Sequence, residues 1–376
     1  MPEDGVAARR LAIEVLERVE VDGAYANLLL PKLLEESPLD TRDRGFVTEL
    51  TYGSTRMKRA LDFAADRFID RDDVDSRVRA AVRVGAYQLL FMRVPAHAAV
   101  DATVGATPKR GRGFVNAVLR KIAKGGEPEW PTVGHRLSYP NWIVERLAED
   151  LGDRAVAVLE AMNEAATTHT RPDGYRQDSA SQAVAALVDP DGLTLDLCAA
   201  PGGKATYVAG DSEKGHVVAS DLHVHRAGLV ATAAKETGND LSSVVADATN
   251  PPYRESCADA VLVDAPCSGL GSLRRRPDAR WRITPADVDN LAELQFDLVE
   301  SASRLVKPGG QVVFSVCTLT AAESTAVDDR IAAELPQLVP EPLNDLWEPH
   351  GRGGRLLPDT FDGDGMAAFV YRMKAT

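Results

Sequence analysis

The chain has 376 residues and a formal net charge of −13, with 44% hydrophobic and 26% charged residues. This length allows two domains that each bury a core, and the negative charge argues against a protein that coats nucleic acid indiscriminately, because phosphate binding requires a basic surface. No run of eighteen or more apolar residues occurs, and the first ten residues lack the apolar stretch of a signal peptide. We therefore expect a cytoplasmic protein without a membrane span.

Four cysteines are present, at positions 198, 257, 267 and 317. None belongs to a Cys-x-x-Cys pair and no paired histidines accompany them, so the pattern argues against a zinc site. Isolated cysteines of this kind are typical of a cytosolic protein with reduced thiols. We therefore expect no metal cofactor.

The first third of the chain, from about residue 5 to 124, has helical periodicity. Apolar residues near the N-terminus recur at spacings of three and four, as on one face of an amphipathic helix. Further helical patterns cover 46–56, 78–92 and 114–122, with Pro95 between two of them. These features predict a compact helical domain over residues 1–125.

Residues 126–177 are predicted to form a linker that contains a helix. The segment 125–140 is rich in Pro and Gly, and a helical pattern follows from 142 to about 163. From residue 178 onward, short apolar runs alternate with longer helical stretches, which predicts a parallel, doubly wound α/β domain over 178–376. A last strand over 366–373 is predicted to be antiparallel, at the edge of the sheet. The five strands predicted before it are 193–198, 216–220, 243–246, 260–263 and 311–316.

A loop rich in small residues, Asp196-Leu-Cys-Ala-Ala-Pro-Gly-Gly-Lys204, leaves the first predicted strand and opens into a helix. Ligands of open α/β sheets bind at the carboxyl ends of the strands, and small residues let the backbone approach them closely. A Walker loop would need Gly at position 198 and Ser or Thr at 205, where this chain has Cys and Ala. The loop therefore predicts a nucleotide-type site that is not a phosphate cradle.

Acidic residues follow the next two predicted strands. Asp221 is placed to accept hydrogen bonds from the two hydroxyls of a ribose, and Asp247 is placed to reach the exocyclic amine of an adenine. Each residue alone is weak evidence for a cofactor, because Asp also caps helices that follow strands. Together with the loop they favour an adenosine cofactor whose other end need not be a phosphate.

Two cysteines follow the fourth and fifth predicted strands. Cys267 lies within Asp264-Ala-Pro-Cys-Ser-Gly269, and Cys317 comes directly after the fifth strand. A lone cysteine there is usually a small core residue, but two at one rim favour chemistry. A thiolate that adds to carbon 6 of cytosine makes carbon 5 nucleophilic toward an electrophilic methyl group. Asp264 is then placed to hold or protonate ring nitrogen 3, and a second thiol to help expel the first.

These segments resemble motifs of the bacterial ribosomal RNA cytosine-5 methyltransferases of the Sun (RsmB) type. The matching pieces are 196–204, 264–269 with 275–281, and 306–317. The N-terminal helices resemble the NusB-like RNA-binding domain of the same type, for example in Leu50-Thr-Tyr-Gly53. The resemblance implies an all-α NusB-like domain followed by an α/β Rossmann-like class I methyltransferase domain.

The resemblance also implies the cofactor, the partner and the site. It implies S-adenosyl-L-methionine as methyl donor, and RNA as substrate, foremost 16S ribosomal RNA; we expect a monomer without membrane association. Cys317 would be the nucleophile, Cys267 would assist product release and Asp264 would act on the base. The implied donor contacts are Cys198, Ala199, Ala200, Pro201, Gly202, Gly203, Lys204, Asp221, Asp247 and Asp264. The expected RNA contacts come from a basic cluster formed by Arg274, Arg275, Arg276 and Arg280.

The chain departs from the family between Thr170 and Gln177. A subdomain of several dozen residues that helps to present RNA is normally inserted there, and this chain lacks it. A competing hypothesis is therefore an RNA-binding or ribosome assembly factor that retains the donor pocket. Transfer RNA as substrate, a small-molecule methyltransferase, and exchanged roles of the two cysteines stay open as well.

Overall fold

The structure is a computed structural model that describes residues 3–70, 73–212 and 214–375. The chain forms two compact units. The helical unit comprises the residues up to Glu145 together with Arg275–Trp281, and the sheet unit comprises Arg146–Arg274 and the residues from Arg282 onward. In the described ranges, no helix is long and apolar enough to cross a membrane.

Apolar helix faces pack around α5 to form the core of the helical unit. Ten residues of α5 between Val78 and Gln88 are buried, which is the pattern of a central helix. At Gly85 an added Cβ would lie 2.3 Å from Leu119, so only glycine allows α5 and α7 to approach this closely. The helices are α1 Glu3–Val21, α2 Ala26–Glu35, α3 Thr41–Arg56, α4 Lys58–Asp66, α5 Ser76–Leu90, α6 Ala96–Ala106, α7 Arg112–Gly125 and α8 Val133–Arg136.

Local sequence explains where several of these helices begin. The carboxylate of Asp40 accepts a hydrogen bond from the backbone N–H of Asp43 at the start of α3, and Asp75 does the same for Val78 at the start of α5. Side chains in this position satisfy backbone donors that have no partner inside the helix.

The rest of the chain contains the five predicted strands with helices between most of them, then three short strands that the sequence did not predict, and the predicted last strand. The helices are α9 Asn141–Leu151, α10 Ala155–Ala161, α11 Ser179–Ala185, α12 Gly203–Asp211, α13 Val224–Thr237, α14 Pro285–Leu305 and α15 Thr325–Glu334. The strands are β1 Leu193–Asp196, β2 His216–Asp221, β3 Leu241–Val245, β4 Ala258–Asp264, β5 Val306–Val316, β6 Leu338–Glu341, β7 Glu348–His350, β8 Gly353–Leu356 and β9 Met366–Met373. The helical stretch predicted over 142–163 is divided into α9 and α10, with Gly152 in the left-handed region between them (φ 57°).

The strands form one mixed sheet in the order β3-β2-β1-β4-β5-β9-β8-β7, with β6 also pairing with β9. Strands β1 to β5 are parallel to one another, and β9 is antiparallel to β5. The prediction that β9 lies at the edge is wrong, because β8 and β6 pair with its other side. This interior position agrees with the burial of all residues from Met366 to Tyr371.

Candidate active site

The carboxyl ends of the five parallel strands lie at one edge of the sheet unit. Strand β1 lies between β2 and β4, so the order in which the chain adds strands to the sheet reverses at β1. Ligands of open parallel sheets bind at such a point. Asp264 at the end of β4 pairs with Ser315 near the end of β5. The predicted donor loop, Asp264 and both predicted catalytic cysteines therefore follow neighbouring strands.

Backbone hydrogen bonds fix the loop between β1 and α12. The N–H of Leu197 donates to the carbonyl oxygen of Leu262 on β4 (3.0 Å), and that of Ala199 donates to Ser220 on β2 (2.9 Å). Gly202 has a φ of 110°, and an added Cβ would lie 3.0 Å from the Cα of Val230. Glycine at position 202 is thus required by the conformation of the turn and by its contact with α13.

Arg171 supports this loop from the segment between Thr170 and Gln177, where this chain lacks the insert of the family that it resembles. Its guanidinium donates to the carbonyl oxygen of Gly203 (2.7 Å) and to the side chain of Gln177 (2.9 Å). It also lies over the ring of Tyr175, 4.9 Å from the centroid. The shortened segment therefore braces the loop, a role that the sequence pattern alone did not indicate.

Asp196 is a buried carboxyl at the start of the loop. Its Oδ1 accepts a hydrogen bond from the N–H of Cys198 (3.3 Å), and its Oδ2 has no hydrogen-bond partner within the described part of the chain. Burial, reinforced by the negative charge of Asp264, raises the pKa of Asp196 to about 8. Burial also raises the pKa of the neighbouring Cys198 thiol, so this thiol stays neutral.

Asp221 and Asp247 follow β2 and β3, as predicted, but their surroundings differ. Asp221 is buried and accepts two hydrogen bonds from Nε of Arg226, at 3.1 and 3.0 Å. Asp247 is exposed, and hydrogen bonds from the hydroxyl and N–H of Thr249 lower its pKa. Both side chains therefore place carboxyl oxygens that can accept hydrogen bonds at this edge of the sheet.

Lys204 and Asp264 form an ion pair next to the loop. Nζ of Lys204 donates to Oδ2 of Asp264 (2.7 Å), and the hydroxyl of Ser315 donates to Oδ1 (2.8 Å). Burial alone would lower the pKa of Lys204, but the charge and hydrogen bond of Asp264 outweigh it and raise the pKa, with a further contribution from Cys317. The pair is therefore close enough to Cys317 for the charge of Lys204 to interact with this cysteine.

The thiols of Cys267 and Cys317 are hydrogen-bonded, with their sulfur atoms 3.2 Å apart. Their loops are joined by backbone as well, since the N–H of Gly271 donates to the carbonyl oxygen of Cys317 (3.0 Å). The hydrogen bond with Cys317 and burial raise the pKa of Cys267 well above its usual range. The two thiols are thus close enough to act on the same base, and Cys267 is held as a thiol.

The arginines expected to contact RNA occupy different environments. The side chain of Arg274 is only 9% exposed, donates to the carbonyl oxygen of Ala165 (3.1 Å) and pairs with Asp362. Arg276 is exposed and Arg275 is half-buried. Arg280 is fully buried in the helical unit, so we do not retain it as an RNA contact.

Packing explains the burial of Arg280. Its guanidinium lies over the ring of Tyr139, 3.9 Å from the centroid, and donates to the carbonyl oxygen of Ser138 (3.2 Å). The next residue, Trp281, donates from its indole N–H to the carbonyl oxygen of Thr55 (2.7 Å). This end of the Arg-rich segment therefore holds the helical unit together.

One further polar residue escaped the sequence-based prediction. Glu323 lies between β5 and α15 and is fully buried beside both cysteine loops. A glutamate just before a helix ordinarily indicates an exposed first turn, so no pattern distinguishes this one. Only the three-dimensional structure shows that its carboxylate is inside.

Comparisons with known proteins agree with this geometry. Residues 184–371 match the family model described as 16S rRNA methyltransferase RsmB/F, and residues 6–124 match the NusB family. The ribosomal RNA small subunit methyltransferase B of Thermus thermophilus is 35% identical over 96% of each chain, and that of Salmonella paratyphi B is 29% identical over 95% of this chain and 96% of its own. The crystal structure of PH0851 has the same fold, with a TM-score of 0.81, 21% identity and 99% of each chain covered.

The residues at the carboxyl edge fit the methyl donor of this family. The loop offers backbone groups and the unpaired Oδ2 of Asp196, and the side-chain oxygens of Asp221 and Asp247 could accept hydrogen bonds from a nucleoside. The chain belongs to the family described as 16S rRNA methyltransferase RsmB/F, and is an S-adenosylmethionine-dependent RNA methyltransferase with a NusB-family helical domain.

Proposed function

We propose that this protein methylates carbon 5 of a cytosine in 16S ribosomal RNA, through a covalent bond between Sγ of Cys317 and carbon 6 of the base. The observation that carries the proposal is the pair of thiols, 3.2 Å apart, next to the ion pair of Lys204 and Asp264. A thiol pair and an acid–base pair at the donor edge are what cytosine-5 chemistry needs. The choice of 16S ribosomal RNA rests on the names of the relatives.

Addition is the first step. The thiolate of Cys317 bonds to carbon 6, the electron pair moves toward ring nitrogen 3, and that nitrogen takes a proton from the pair of Lys204 and Asp264. The positive charge of Lys204 lies where it interacts with Cys317, so it favours the thiolate form. S-adenosylmethionine, when bound, supplies the electrophilic methyl group to which carbon 5 adds.

Elimination then restores the aromatic base. The proton leaves carbon 5, the bond between carbon 6 and Cys317 breaks, and nitrogen 3 returns its proton to Asp264 and Lys204. Cys267 passes its proton to the departing sulfur and takes up the proton from carbon 5, so both cysteines end as thiols. The separation of 3.2 Å suits this transfer between sulfur atoms. The overall reaction releases one proton, which is the one that Cys317 lost before addition.

The direct test is methyl transfer to defined RNA. Purified protein and labelled S-adenosylmethionine are incubated with unmethylated 16S ribosomal RNA, transfer RNA or no RNA, and the nucleosides are separated by mass spectrometry. We expect 5-methylcytidine in the 16S sample. If the label is incorporated into transfer RNA, then transfer RNA replaces 16S ribosomal RNA as the proposed substrate. Label that is transferred without any RNA would indicate a small-molecule methyltransferase. RNA binding without methyl transfer would favour an assembly factor.

We propose that Asp221 holds the ribose of the donor. Asp221→Ala should weaken S-adenosylmethionine binding by about 10- to 100-fold in calorimetry, since hydrogen bonds to a charged acceptor are lost. Arg226→Ala is the matched control: it removes the ion pair but leaves the carboxylate available, so affinity should not fall. Equal affinity of Asp221→Ala and the wild type would exclude the ribose role.

RNA binding also needs a basic surface on this acidic chain, and the helical unit offers one. A cavity of about 330 Å³ has Arg10, Arg77, Lys109 and Arg112 in its lining, and three of these side chains are exposed. Arg112 is held there by hydrogen bonds to the carbonyl oxygens of α6 and the following turn. We propose that this cavity contacts RNA phosphates.

Replacing Arg10 and Lys109 together by alanine should weaken RNA binding and reduce the salt dependence of the affinity by about two phosphate contacts. Fluorescence anisotropy of a 16S fragment at several salt concentrations measures both. Lys32→Ala with Arg42→Ala, two exposed residues of the same unit outside the cavity, is the control. An unchanged salt slope in the first variant would show that the cavity does not contact phosphate.

A further inference from the structure

Glu323 is fully buried at the base of both cysteine loops and accepts five hydrogen bonds from neutral groups. The N–H of Ser268 (2.7 Å) and the amide of Gln295 (3.3 Å) donate to Oε1. The hydroxyls of Ser268 (2.6 Å), Thr318 (2.8 Å) and Thr320 (2.9 Å) donate to Oε2. Burying a carboxylate is costly unless such donors surround it, and these satisfy both oxygens.

The donors come from the residues that follow the two cysteines. Ser268 follows Cys267, and Thr318 follows Cys317, and their hydroxyls are also within hydrogen-bonding distance of each other (2.9 Å). Gln295 of α14 adds a third link, because its amide also donates to the carbonyl oxygen of Pro266, the residue before Cys267 (2.9 Å). Glu323 is therefore the common acceptor that joins the two loops on which the thiols lie.

The negative charge of Glu323 also acts on Cys267. It adds to the effects of the hydrogen bond with Cys317 and of burial, which raise the pKa of Cys267. Lys204, the cation of the proposed mechanism, interacts with Cys317. A negative charge beside one sulfur and a positive charge beside the other make the two thiols chemically different.

We propose that Glu323 is a positioning residue that sets the distance between the two cysteine loops and keeps Cys267 in its neutral thiol form, so that Cys317 alone is the nucleophile. The assignment rests on the proposed function for the roles of the two thiols. Glu323 contacts the two cysteine loops and acts through Ser268 and Thr318.

The test measures thiol reactivity without RNA. Iodoacetamide alkylation of each cysteine is followed against pH by peptide mass spectrometry, in a Cys317→Ser chain to isolate Cys267 and in a Cys267→Ser chain to isolate Cys317. Glu323→Gln should move the alkylation midpoint of Cys267 to lower pH by about one unit, since a nearby negative charge is removed. The midpoint of Cys317 should move less.

Glu334→Gln is the matched control, because Glu334 is exposed on α15 and pairs only with Arg330 among the described contacts. It should leave both midpoints unchanged. An unchanged midpoint of Cys267 in Glu323→Gln would overturn the proposal. The result does not depend on methyl transfer, so a shift of the Cys267 midpoint in a protein that methylates no RNA would refute the proposed function and retain the electrostatic role of Glu323.

Glu323→Asp tests the positioning role and serves if Glu323→Gln does not fold. It keeps the charge and shortens the side chain by one methylene, so the five hydrogen bonds cannot all form. The alkylation midpoint of Cys267 should stay close to that of the wild type, while methyl transfer should fall by about tenfold at saturating substrate. A wild-type rate of methyl transfer by Glu323→Asp would show that the length of the side chain at position 323 is irrelevant, and would overturn the positioning role.

Discussion

Cys267→Ala is expected to accumulate a covalent complex with RNA, whereas Cys317→Ala forms none and loses methyl transfer by about 10⁴-fold or more. In the proposed mechanism Cys317, the residue after β5, forms the bond to carbon 6, and Cys267, 3.2 Å away, is needed only to break it. Removing the second thiol therefore stops the reaction after the methyl group has been transferred. Denaturing gels of each variant incubated with unmethylated 16S ribosomal RNA and S-adenosylmethionine show the complex as a slow band.

Cys257→Ala is the control for loss of a thiol. Cys257 directly precedes β4, whereas Cys267 follows the other end of the same strand. It should behave as the wild type. A slow band with Cys317→Ala and none with Cys267→Ala would mean that the two roles are exchanged. If neither variant forms a band and the wild type transfers no methyl group, an assembly factor that retains the donor pocket replaces the proposed enzyme.

The sequence predicted the elements that carry the site because strand ends leave a local pattern. Each parallel strand is a short apolar run, and the residue that follows it, such as Asp221 or Cys317, must lie at the carboxyl edge once the sheet is parallel. The order of the strands then brings Asp264 next to Ser315. Local pattern and chain direction were therefore sufficient to place the donor loop and both cysteines together.

Long-range contacts account for what the sequence did not reveal. The place of β9 inside the sheet depends on its pairing with β6 and β8, short strands without a clear alternation. Arg280 looks like part of a solvated basic run until Tyr139, far earlier in the chain, covers it. Burial of a charged side chain depends on what packs against it, and no spacing rule describes that.

Asp264→Asn should reduce methyl transfer by about 10³-fold, the second large effect that the structure predicts. The amide cannot relay a proton to nitrogen 3, and it leaves Lys204 without its counter-ion. Because burial lowers the pKa of Lys204 once Asp264 no longer raises it, the lysine should lose its proton at a lower pH than in the wild type. The residual rate of the variant should therefore fall as pH rises, within a range where the wild type keeps its lysine charged.

Asp259→Asn is a matched control for the loss of an ion pair on the same strand. Asp259 pairs with Lys307 at 2.7 Å, the same separation as between Asp264 and Lys204, but at the other end of β4. Both variants lose a carboxylate partner of a lysine, but only Asp264→Asn should change the rate and its dependence on pH. Equal rates for the two variants would reduce Asp264 to a structural partner of Lys204, and nitrogen 3 would then have to take its proton from a different group.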